Sequence, residues 1–302
     1  MILTVTLNTA LDLTYRVRSL RPRASHRVTD VVERPGGKGV NVARVLAALG
    51  HEVTVTGFTG GATGATVRAL LAEAPGVTDA LVPVAGATRR TVAVVDELAG
   101  ETTRLNEPGP QVTPAEWAAF LRAYDGLLPG ASAVALCGSL PPGVPVGAYA
   151  GLIRTARSLG VTVLLDTSGE PLRRGVAARP DIIKPNAGEL AELTGSHEPS
   201  RATRDARRRG AHAVVASLGP QGLLAVTPDG EWRAAPVHGN PTGAGDSAVA
   251  GLLSALVEHL PWPARLARAT ALSAATVRAP TAGEFDRAAY EELVGRVVVT
   301  AA

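Results

Sequence analysis

At 302 residues, the chain is long enough for one large domain or two ordinary ones, and 46% apolar residues can build a sizeable core. Its 30 basic and 27 acidic side chains nearly balance, which gives no basis for a nucleic-acid-binding stripe. The single cysteine, Cys137, excludes an internal disulfide framework and a zinc site built from cysteines. Since neither a signal-peptide pattern nor a stretch of about 18 apolar residues is present, we expect a cytoplasmic protein that does not enter a membrane.

Short apolar runs alternate with helical patterns along most of the chain. The runs predict strands at residues 2–7, 53–57, 133–136, 161–165, 182–184 and 213–217. Helical patterns lie at residues 39–49, after Thr113, and at 247–260. The helix after Thr113 begins with a capping box, and its apolar residues share one face: Trp117, Phe120, Leu121 and Tyr124. This alternation predicts one α/β domain over residues 1–302, with a mostly parallel sheet covered by helices on both faces.

Two segments do not follow this alternation. Residues 13–32 and 90–105 contain stretches of alternating polar and apolar residues without a helical period. We interpret them as strands of a small extra sheet, inserted twice into the main fold at about residues 12–34 and 88–106. Such a sheet would form a lid over the carboxyl ends of the main strands and would offer a surface for a homodimer.

The first motif with chemical potential is GGKGVN, at residues 36–41. Its glycines precede a helix, so backbone N–H groups and the positive end of the helix dipole converge where a polar ligand could bind. Lys38 adds a full charge there, and Asn41 can donate to or accept from a hydroxyl group. An ordinary turn at the start of a helix would explain the same residues. The motif is not a Walker A sequence, because the GxxxxGK[ST] spacing is absent.

Two further motifs follow predicted strands. In KPNAGEL, at residues 184–190, Asn186 and Glu189 are three apart and share a helix face, where they could hold magnesium-bound water near phosphates. A helix cap with Glu at the third position explains the pair equally simply. In SLGPQG, at residues 217–222, Gly219 and Gly222 would let a flat ring or a phosphate approach the backbone. A plain hairpin turn is an equal alternative.

The fourth motif, NPTGAGDS, occupies residues 240–247 ahead of a predicted helix. Gly243, Ala244 and Gly245 leave backbone amides exposed at the helix N-terminus, where an anionic group would be stabilised. Asp246 lies in the first turn and can accept a proton from an attacking hydroxyl. This combination is typical of phosphoryl transfer, which needs a positioned alcohol, a proton acceptor and a neutralised phosphoryl group.

Together these motifs resemble the ribokinase-like sugar kinases, also called the PfkB carbohydrate kinases. The stretches GGKGVNVARVLAALG, GSLPPGV, KPNAGEL, SLGPQG and PTGAGDS follow that family's order and spacing from about residue 6 to 282. TLNTALDLTY and TRRTVAVVDELAGETTRLNEPGP are similar to its phosphosugar branch, which includes 1-phosphofructokinase, tagatose-6-phosphate kinase and the minor 6-phosphofructokinase. The resemblance implies a three-layer α/β/α sandwich with a β-sheet lid, and ATP and Mg²⁺ as the reaction's requirements.

The resemblance also implies roles for individual residues. Asp246 matches the catalytic base, and the anion hole comprises Gly243, Ala244 and Gly245. Residues that match the sugar-binding positions are Asp12, Gly36, Gly37, Asn41 and Ser139. Cations that match positions around the substrate's existing phosphate are Arg27, Lys38, Arg89 and Arg104, with Arg90 as the alternative to Arg89. The nucleotide and magnesium region comprises Lys184, Asn186, Glu189, Ser217, Gly219 and Gly222, of which Asn186 and Glu189 would reach the metal through water.

These residues bear on three candidate functions. A kinase of a phosphorylated ketohexose ranks first, with fructose-1-phosphate ahead of tagatose-6-phosphate and fructose-6-phosphate. A phosphosugar-binding regulator without catalysis is opposed by the intact Asp246 and its glycine-rich surroundings. A Rossmann dehydrogenase is opposed by the lack of G-x-G-x-x-G after the first strand. Thr9 and the pair Pro241-Thr242 depart from the pattern usual in phosphofructokinases, which leaves the subgroup open.

Overall fold

A computed structural model describes residues 1–235, 244–279 and 282–302 of the chain. Its strands in chain order are β1 Ile2–Thr6, β2 Ala10–Val17, β3 Asp30–Gly36, β4 Val53–Thr59, β5 Val77–Asp79, β6 Val82–Pro83, β7 Arg89–Asp96, β8 Glu101–Asn106, β9 Ala133–Cys137, β10 Thr162–Asp166, β11 Ile182–Ile183, β12 Ala213–Ser217, β13 Leu223–Thr227, β14 Gly230–Ala234 and β15 Val299–Ala301. Its helices are α1 Lys38–Ala48, α2 Gly61–Ala72, α3 Pro114–Leu127, α4 Ala148–Ser158, α5 Gly169–Ala177, α6 Ala187–Thr194, α7 Pro199–Arg208, α8 Ala244–Val257, α9 Trp262–Thr276 and α10 Arg287–Val294.

The main sheet has the order β15-β14-β13-β12-β11-β10-β9-β1-β4-β5, with β6 also paired to β4. Its strands are parallel from β12 to β5, and each of the six runs predicted as strands lies within this parallel part. At the other edge, β13, β14 and β15 add antiparallel strands that the sequence analysis did not predict. The prediction of a mostly parallel sheet is confirmed.

Alternate residues of the central strands face two separate cores. On β9, Ala133 and Ala135 pack in a cluster with α1, α2, α8 and α9, whereas Val134 and Leu136 pack in a second cluster with α3 to α7. Strands that are buried on both faces read as continuous apolar runs, which explains why the sequence marked them so clearly. The three-layer α/β/α sandwich is therefore confirmed.

The helix predicted after Thr113 is α3. The hydroxyl of Thr113 accepts from the N–H of Glu116, and the Glu116 carboxylate accepts in return from the N–H of Thr113 at 2.7 Å. Phe120 and Tyr124 are fully buried on its inner face, with Trp117 partly buried beside them. The capping box and the apolar face are confirmed.

A separate four-stranded sheet has the order β3-β2-β7-β8. Its central pair, β2 and β7, is parallel, and the two outer pairs are antiparallel. The small extra sheet built from two insertions is thus confirmed, and we call it the lid sheet; its action as a lid stays a prediction. No helix among the described residues is long and apolar enough to cross a membrane.

Candidate active site

Asp246 lies in the first turn of α8. Its Oδ2 accepts a hydrogen bond of 2.9 Å from Nδ2 of Asn41, which lies on α1. The start of α8 is fixed to α9, because Oγ of Ser273 donates to the carbonyl of Ala244 at 2.7 Å. Two helices from distant parts of the chain therefore position one carboxylate. Gly243, the first residue of the predicted anion hole, lies outside the described residues.

The environment of Asp246 alters its ionisation. Burial raises the pKa of its carboxyl group to about 6, Lys38 partly opposes this rise, and the negative charge of Asp166 adds to it. The hydrogen bond from Asn41 favours the ionised form. At neutral pH the group is mostly ionised, and its pKa lies near the range that suits a general base.

Asp166, the last residue of β10, is buried between two lysines. Nζ of Lys38 lies 3.4 Å from its Oδ2, and Nζ of Lys184 lies 3.5 Å from its Oδ1. Nζ of Lys184 is also 3.7 Å from the point that a Cβ on Gly245 would occupy, so this ammonium faces the start of α8. Burial alone would lower the pKa of Lys38, but Asp166 and then Asp246 raise it above its ordinary value. Two positive charges and a helix N-terminus therefore meet beside the base, where an anionic group would be stabilised.

A cavity of about 260 Å³ lies between the lid sheet and the start of α8. Asn41 and Asp246 line it from the main domain. Residues that the strand registers place on one face of the lid sheet line it from the other side: Asp12, Thr14, Arg16, Arg34, Thr91, Ala93, Val95, Thr102 and Arg104. We call this cavity the cleft. It brings the predicted base and the predicted sugar-binding carboxylate to one place.

Asp12 is accommodated by the glycines that precede α1. A Cβ on Gly36 would lie 2.1 Å from Cγ of Asp12, so only glycine leaves room for this carboxylate. Gly37 has φ +101°, a conformation that favours glycine, and turns the chain into α1. Burial raises the pKa of Asp12, while the charges of Arg89 and Arg104 oppose that rise. A carboxylate in these surroundings is suited to accept hydrogen bonds from sugar hydroxyls.

The neighbouring residues Arg89 and Arg90 project to opposite faces of β7. Arg89 is half-buried, and its Nε donates to the carbonyl of Asn8 at 3.1 Å, on the Asp12 side. Arg90 is exposed, and both its Nε and its Nη2 bind Oε1 of Glu107. Of the two, Arg89 is therefore the residue on the cleft face of β7, and Arg90 is paired with Glu107 on the other face.

The remaining predicted ligands of the substrate differ in position. Arg104 lines the cleft. Arg27 is exposed in the connection between β2 and β3, which joins these strands at the end opposite to Asp12, so the structure does not bring it to the cleft of its own chain. Ser139 accepts from Nδ2 of Asn8 at 3.0 Å and lines a different cavity of about 470 Å³. Lys38 lies with Asp166 rather than among the residues that line the cleft.

Comparisons with known proteins identify the family and the fold. The model of the pfkB family carbohydrate kinases matches residues 4–288. A 1-phosphofructokinase of Rhodobacter capsulatus is 42% identical over 290 residues, which cover 90% of each chain. This chain belongs to the PfkB family of carbohydrate kinases. Among solved structures, phosphofructokinase-2 of Escherichia coli in complex with fructose-6-phosphate has a TM-score of 0.88 at 30% identity over 98% of each chain. A protein of Thermotoga maritima, described as a possible 1-phosphofructokinase, has a TM-score of 0.90 at 28% identity and covers 100% of this chain and 99% of its own.

In this PfkB chain, the motifs predicted to bind nucleotide are adjacent. Asn186 pairs with Ser217 in a parallel bridge, and the N–H of Ser217 donates to the carbonyl of Pro185 at 2.9 Å. The turn after Ser217 joins two antiparallel strands and is closed by a bond from the N–H of Leu218 to the carbonyl of Gly222. It is therefore a hairpin turn in form. Gly219 has open space where a side chain would stand, so the turn leaves room for a ligand.

Asn186 and Glu189 form a reciprocal helix cap at the start of α6. Oδ1 of Asn186 accepts from the N–H of Glu189 at 2.9 Å, and Oε2 of Glu189 accepts from the N–H of Asn186 at 2.8 Å. Within the described chain no hydrogen bond reaches Oε1 of Glu189. This oxygen fits a magnesium ion that keeps most of its water, since Mg²⁺ prefers oxygen ligands and few protein groups. The described residues contain no group of three or more acidic, histidine or cysteine side chains placed to hold a metal.

Sequence reasoning did not single out Asp166, although a signal for it existed. It directly follows the apolar run of β10, at the same edge of the sheet where the other site residues lie. The parallel strand β11 leads to Lys184 at that edge, and α1 brings Lys38 from the side. A carboxylate at the end of a buried parallel strand therefore indicates a site residue, as the glycine-rich motifs do.

Proposed function

We propose that this protein is an ATP-dependent kinase that phosphorylates fructose-1-phosphate to fructose-1,6-bisphosphate. The observation that carries the proposal is the position of Asp246, a carboxylate that lines the sugar-side cleft and also lies at the N-terminus of α8. A hydroxyl group in the cleft can thus be deprotonated at the point where the phosphoryl group arrives.

The reaction follows from these contacts. Asp246 takes the proton of the attacking sugar hydroxyl while the oxygen of that hydroxyl forms a bond to the γ-phosphorus of ATP, and the bond from this phosphorus to the leaving ADP breaks. Lys38, Lys184 and the amides of Ala244 and Gly245 stabilise the charge on the transferred group. Asn41 holds the base in position. Mg²⁺, when bound, would neutralise phosphate charge, and Glu189 and Asn186 would hold it through water.

The sugar's own phosphate meets the cationic side of the cleft. Burial raises the pKa of Asp12, and the charges of Arg89 and Arg104 oppose this rise, so both guanidinium groups stabilise the ionised carboxylate. We therefore assign the hydroxyls of the sugar to Asp12 and its phosphate to these two arginines. Arginine suits this role because its planar fork can donate two parallel hydrogen bonds to a phosphate.

Fructose-6-phosphate is the second candidate substrate, because the Escherichia coli structure that this chain resembles was solved with that sugar. Tagatose-6-phosphate is the third. The test is the release of ADP by the purified protein with each of the three phosphosugars, with unphosphorylated fructose and ribose as controls. We expect the highest kcat/KM on fructose-1-phosphate. A higher kcat/KM on another phosphosugar would show that this sugar is the substrate. A preference for an unphosphorylated sugar would refute the assignment as a phosphosugar kinase.

We further propose a homodimer formed through the lid sheet. Of seven large apolar side chains that the described residues expose, four belong to this sheet and its turns: Val28, Val31, Leu98 and Leu105. Val31 and Leu105 pair with Tyr15 and Val92, on the face turned away from the cleft. Contiguous apolar residues on one face favour association with a partner.

Sedimentation velocity tests this assembly. The double variant Val31→Glu with Leu105→Glu should sediment as a monomer where the wild type sediments as a dimer. Val298→Glu, which changes an exposed apolar residue outside the lid sheet, is the matched control and should remain dimeric. A dimer that survives the double change would exclude the lid sheet as its interface.

A further inference from the structure

Arg34 lies on the lid strand β3, directly opposite Asp12 in the pairing of β2 with β3. It lines the cleft, and none of the sequence motifs indicated a function for it. We propose that Arg34 binds the phosphate that the sugar already carries, and that Glu284 holds Arg34 in place until the substrate arrives. The inference rests on the proposed function, because it concerns the same phosphosugar site.

Glu284 is shared by two arginines from different parts of the fold. Nε of Arg34 lies 3.3 Å from its Oε1, and Nη2 of Arg44, on α1, lies 2.6 Å from the same oxygen. Arg44 has a second contact, since its Nη1 donates to the carbonyl of Ala282 at 3.0 Å. The Glu284 carboxylate therefore connects the lid sheet to the helix that carries Asn41.

The two arginines are held unequally. The side chain of Arg44 is 12% exposed and makes the shorter contact, whereas that of Arg34 is 39% exposed and makes the longer one. Otherwise Arg34 donates from Nη1 to the carbonyl of its neighbour Glu33. No hydrogen bond from its Nη2 is found within the described chain. Arg34 is thus the partner that can leave Glu284, and its Nε and Nη2 edge is the one that would bind two phosphate oxygens.

The charges of the cleft favour this exchange. Three arginines line it, Arg16, Arg34 and Arg104, against the two carboxylates of Asp12 and Asp246, so the lining keeps an excess of positive charge for a phosphate. When Arg34 turns to the phosphate, Glu284 keeps its short contact with Arg44. Neither the carboxylate nor the phosphate is then left without a cationic partner, which is the condition for exchanging ion pairs in a partly buried site without a large penalty.

The role of Glu284 follows from the same geometry. As an anion beside Arg34, it competes with the substrate's phosphate for that guanidinium group. Loss of its charge should therefore leave phosphosugar binding unchanged or tighter, whereas loss of Arg34 should weaken it. A purely structural tether between the lid sheet and the main domain would behave differently, because removing either partner would then have the same effect.

The experiment is calorimetric titration of the full chain with fructose-1-phosphate and with fructose-6-phosphate, combined with steady-state kinetics on both sugars and on unphosphorylated fructose. The variants are Arg34→Ala and Glu284→Gln. Arg90→Ala is the matched control, because it removes an arginine of the same sheet that projects from the opposite face and is paired with Glu107. Thermal midpoints establish that each variant is folded.

We expect Arg34→Ala to raise the Kd and the KM of the phosphosugar roughly 10- to 150-fold, the loss typical of one contact to a charged group. Its KM for ATP should stay at the wild-type value, and the ratio of its kcat/KM on the phosphosugar to that on fructose should fall. Glu284→Gln should bind the phosphosugar as tightly as the wild type or more tightly, and Arg90→Ala should match the wild type within about twofold.

The outcomes separate this inference from the proposed function. A wild type that acts on phosphosugars while Arg34→Ala behaves like Arg90→Ala would refute the role of Arg34 and leave the kinase intact. Equal weakening by Arg34→Ala and Glu284→Gln would also refute it, in favour of a tether. A wild type that neither binds nor phosphorylates any phosphosugar would overturn both.

Discussion

At the scale of single residues, we expect the ionisation of Asp246 to set a lower limit on the pH at which the enzyme works. Its pKa of about 6 results chiefly from burial, and only the ionised form can accept the hydroxyl proton. As pH falls below 6, the protonated fraction grows, so kcat/KM should fall about tenfold per pH unit. As pH rises above 6, the ionised fraction saturates and this dependence disappears.

The variant Asn41→Ala tests that assignment. Asn41 donates a hydrogen bond to the ionised carboxylate, so its removal should raise the pKa of Asp246 and move the acid limb of the pH–rate profile to higher pH. Asn106→Ala, which removes an amide from an exposed position of the lid sheet, should leave the limb in place. A limb that moves to lower pH in Asn41→Ala would contradict the role of Asp246 as the titrating group.

Lys38 and Arg89 should lose different functions when their charges are removed. Lys38 forms an ion pair with Asp166, and the charges of Asp246 and Glu189 also raise its pKa. These surroundings favour a role towards the transferred phosphoryl group. Lys38→Met should therefore lower kcat roughly 10- to 150-fold on fructose-1-phosphate and on fructose alike. Arg89→Met should mainly affect kcat/KM for the phosphosugar, since Arg89 lies beside Asp12.

The comparison of the two sugars decides between these roles. Asp166 retains Lys184 in the Lys38 variant, so the carboxylate is not left unpaired and the fold should survive. If Lys38→Met lost activity only on the phosphorylated sugar, Lys38 would belong with the lid arginines, as the sequence analysis expected. Parallel loss on both sugars would support its assignment to the reacting group.

Predictability at this scale depended on local patterns. Asp246, Asn41 and Gly36 lie within glycine-rich motifs whose backbone requirements are visible in a few neighbouring residues. Glu284 acts through Arg34 and Arg44, both more than 200 residues away in the chain, and no local pattern marks it. Ion pairs between distant segments follow from the tertiary fold, and a single sequence does not specify them.

At the scale of elements, we expect the first turn of α6 to combine a structural and a chemical role in one pair of residues. Asn186 and Glu189 cap the helix reciprocally through one side-chain oxygen each, and Oε1 of Glu189 takes no part in the cap. The two readings of KPNAGEL, a cap and a magnesium ligand, are therefore compatible. Two variants of Glu189 distinguish the contributions.

Glu189→Gln retains an oxygen that can accept from the N–H of Asn186 but removes the charge. It should keep the wild-type thermal midpoint and raise the magnesium concentration needed for half-maximal rate. Glu189→Ala removes both and should also lower the stability by about 0.5–2 kcal/mol, the usual range for a lost helix cap. The measurements are magnesium titrations of activity and thermal unfolding. An unchanged magnesium titration in Glu189→Gln would remove Glu189 from the metal site.

The elements of the parallel sheet were more predictable than its antiparallel edge. Strands β9, β10 and β12 are buried on both faces and appear as apolar runs, whereas β14 is only partly buried and contains Glu231 and Arg233. β15 has just three residues and pairs with β14 across 65 positions of sequence. Short or half-exposed edge strands carry little pattern of their own, since a partner distant in sequence completes them.

At the scale of the whole molecule, the lid sheet should be less stable than the main sheet. Strand β8 is exposed along its whole length, and β7 is only partly buried, whereas β9 is completely buried. Strands with few buried contacts open at lower free energy. Hydrogen exchange followed by mass spectrometry should therefore show earlier exchange in residues 89–106 than in residues 133–137 and 162–166.

Fructose-1-phosphate should slow exchange in residues 10–36 and 89–106 selectively, because the cleft residues of the lid sheet would bind it. The peptides of α7, on the opposite core, serve as an internal reference and should not respond. Uniform slowing over the chain, or equal exchange in the two sheets before ligand is added, would contradict a separately mobile lid.

The parallel pairing of β2 with β7 has a consequence for how such an enzyme can be inherited and altered. These strands are central neighbours in the lid sheet, yet β3, α1, β4, α2, β5 and β6 lie between them in the chain. The pair can therefore form only after the intervening residues have been synthesised, among them strands β4, β5 and β6 of the main sheet. Exchange of either insertion alone therefore cannot transfer the complete lid sheet. If only the first insertion came from a relative, its strand β2 would have to pair with a β7 of different sequence. We therefore expect sugar preference to be transferred between relatives only when both insertions are exchanged together.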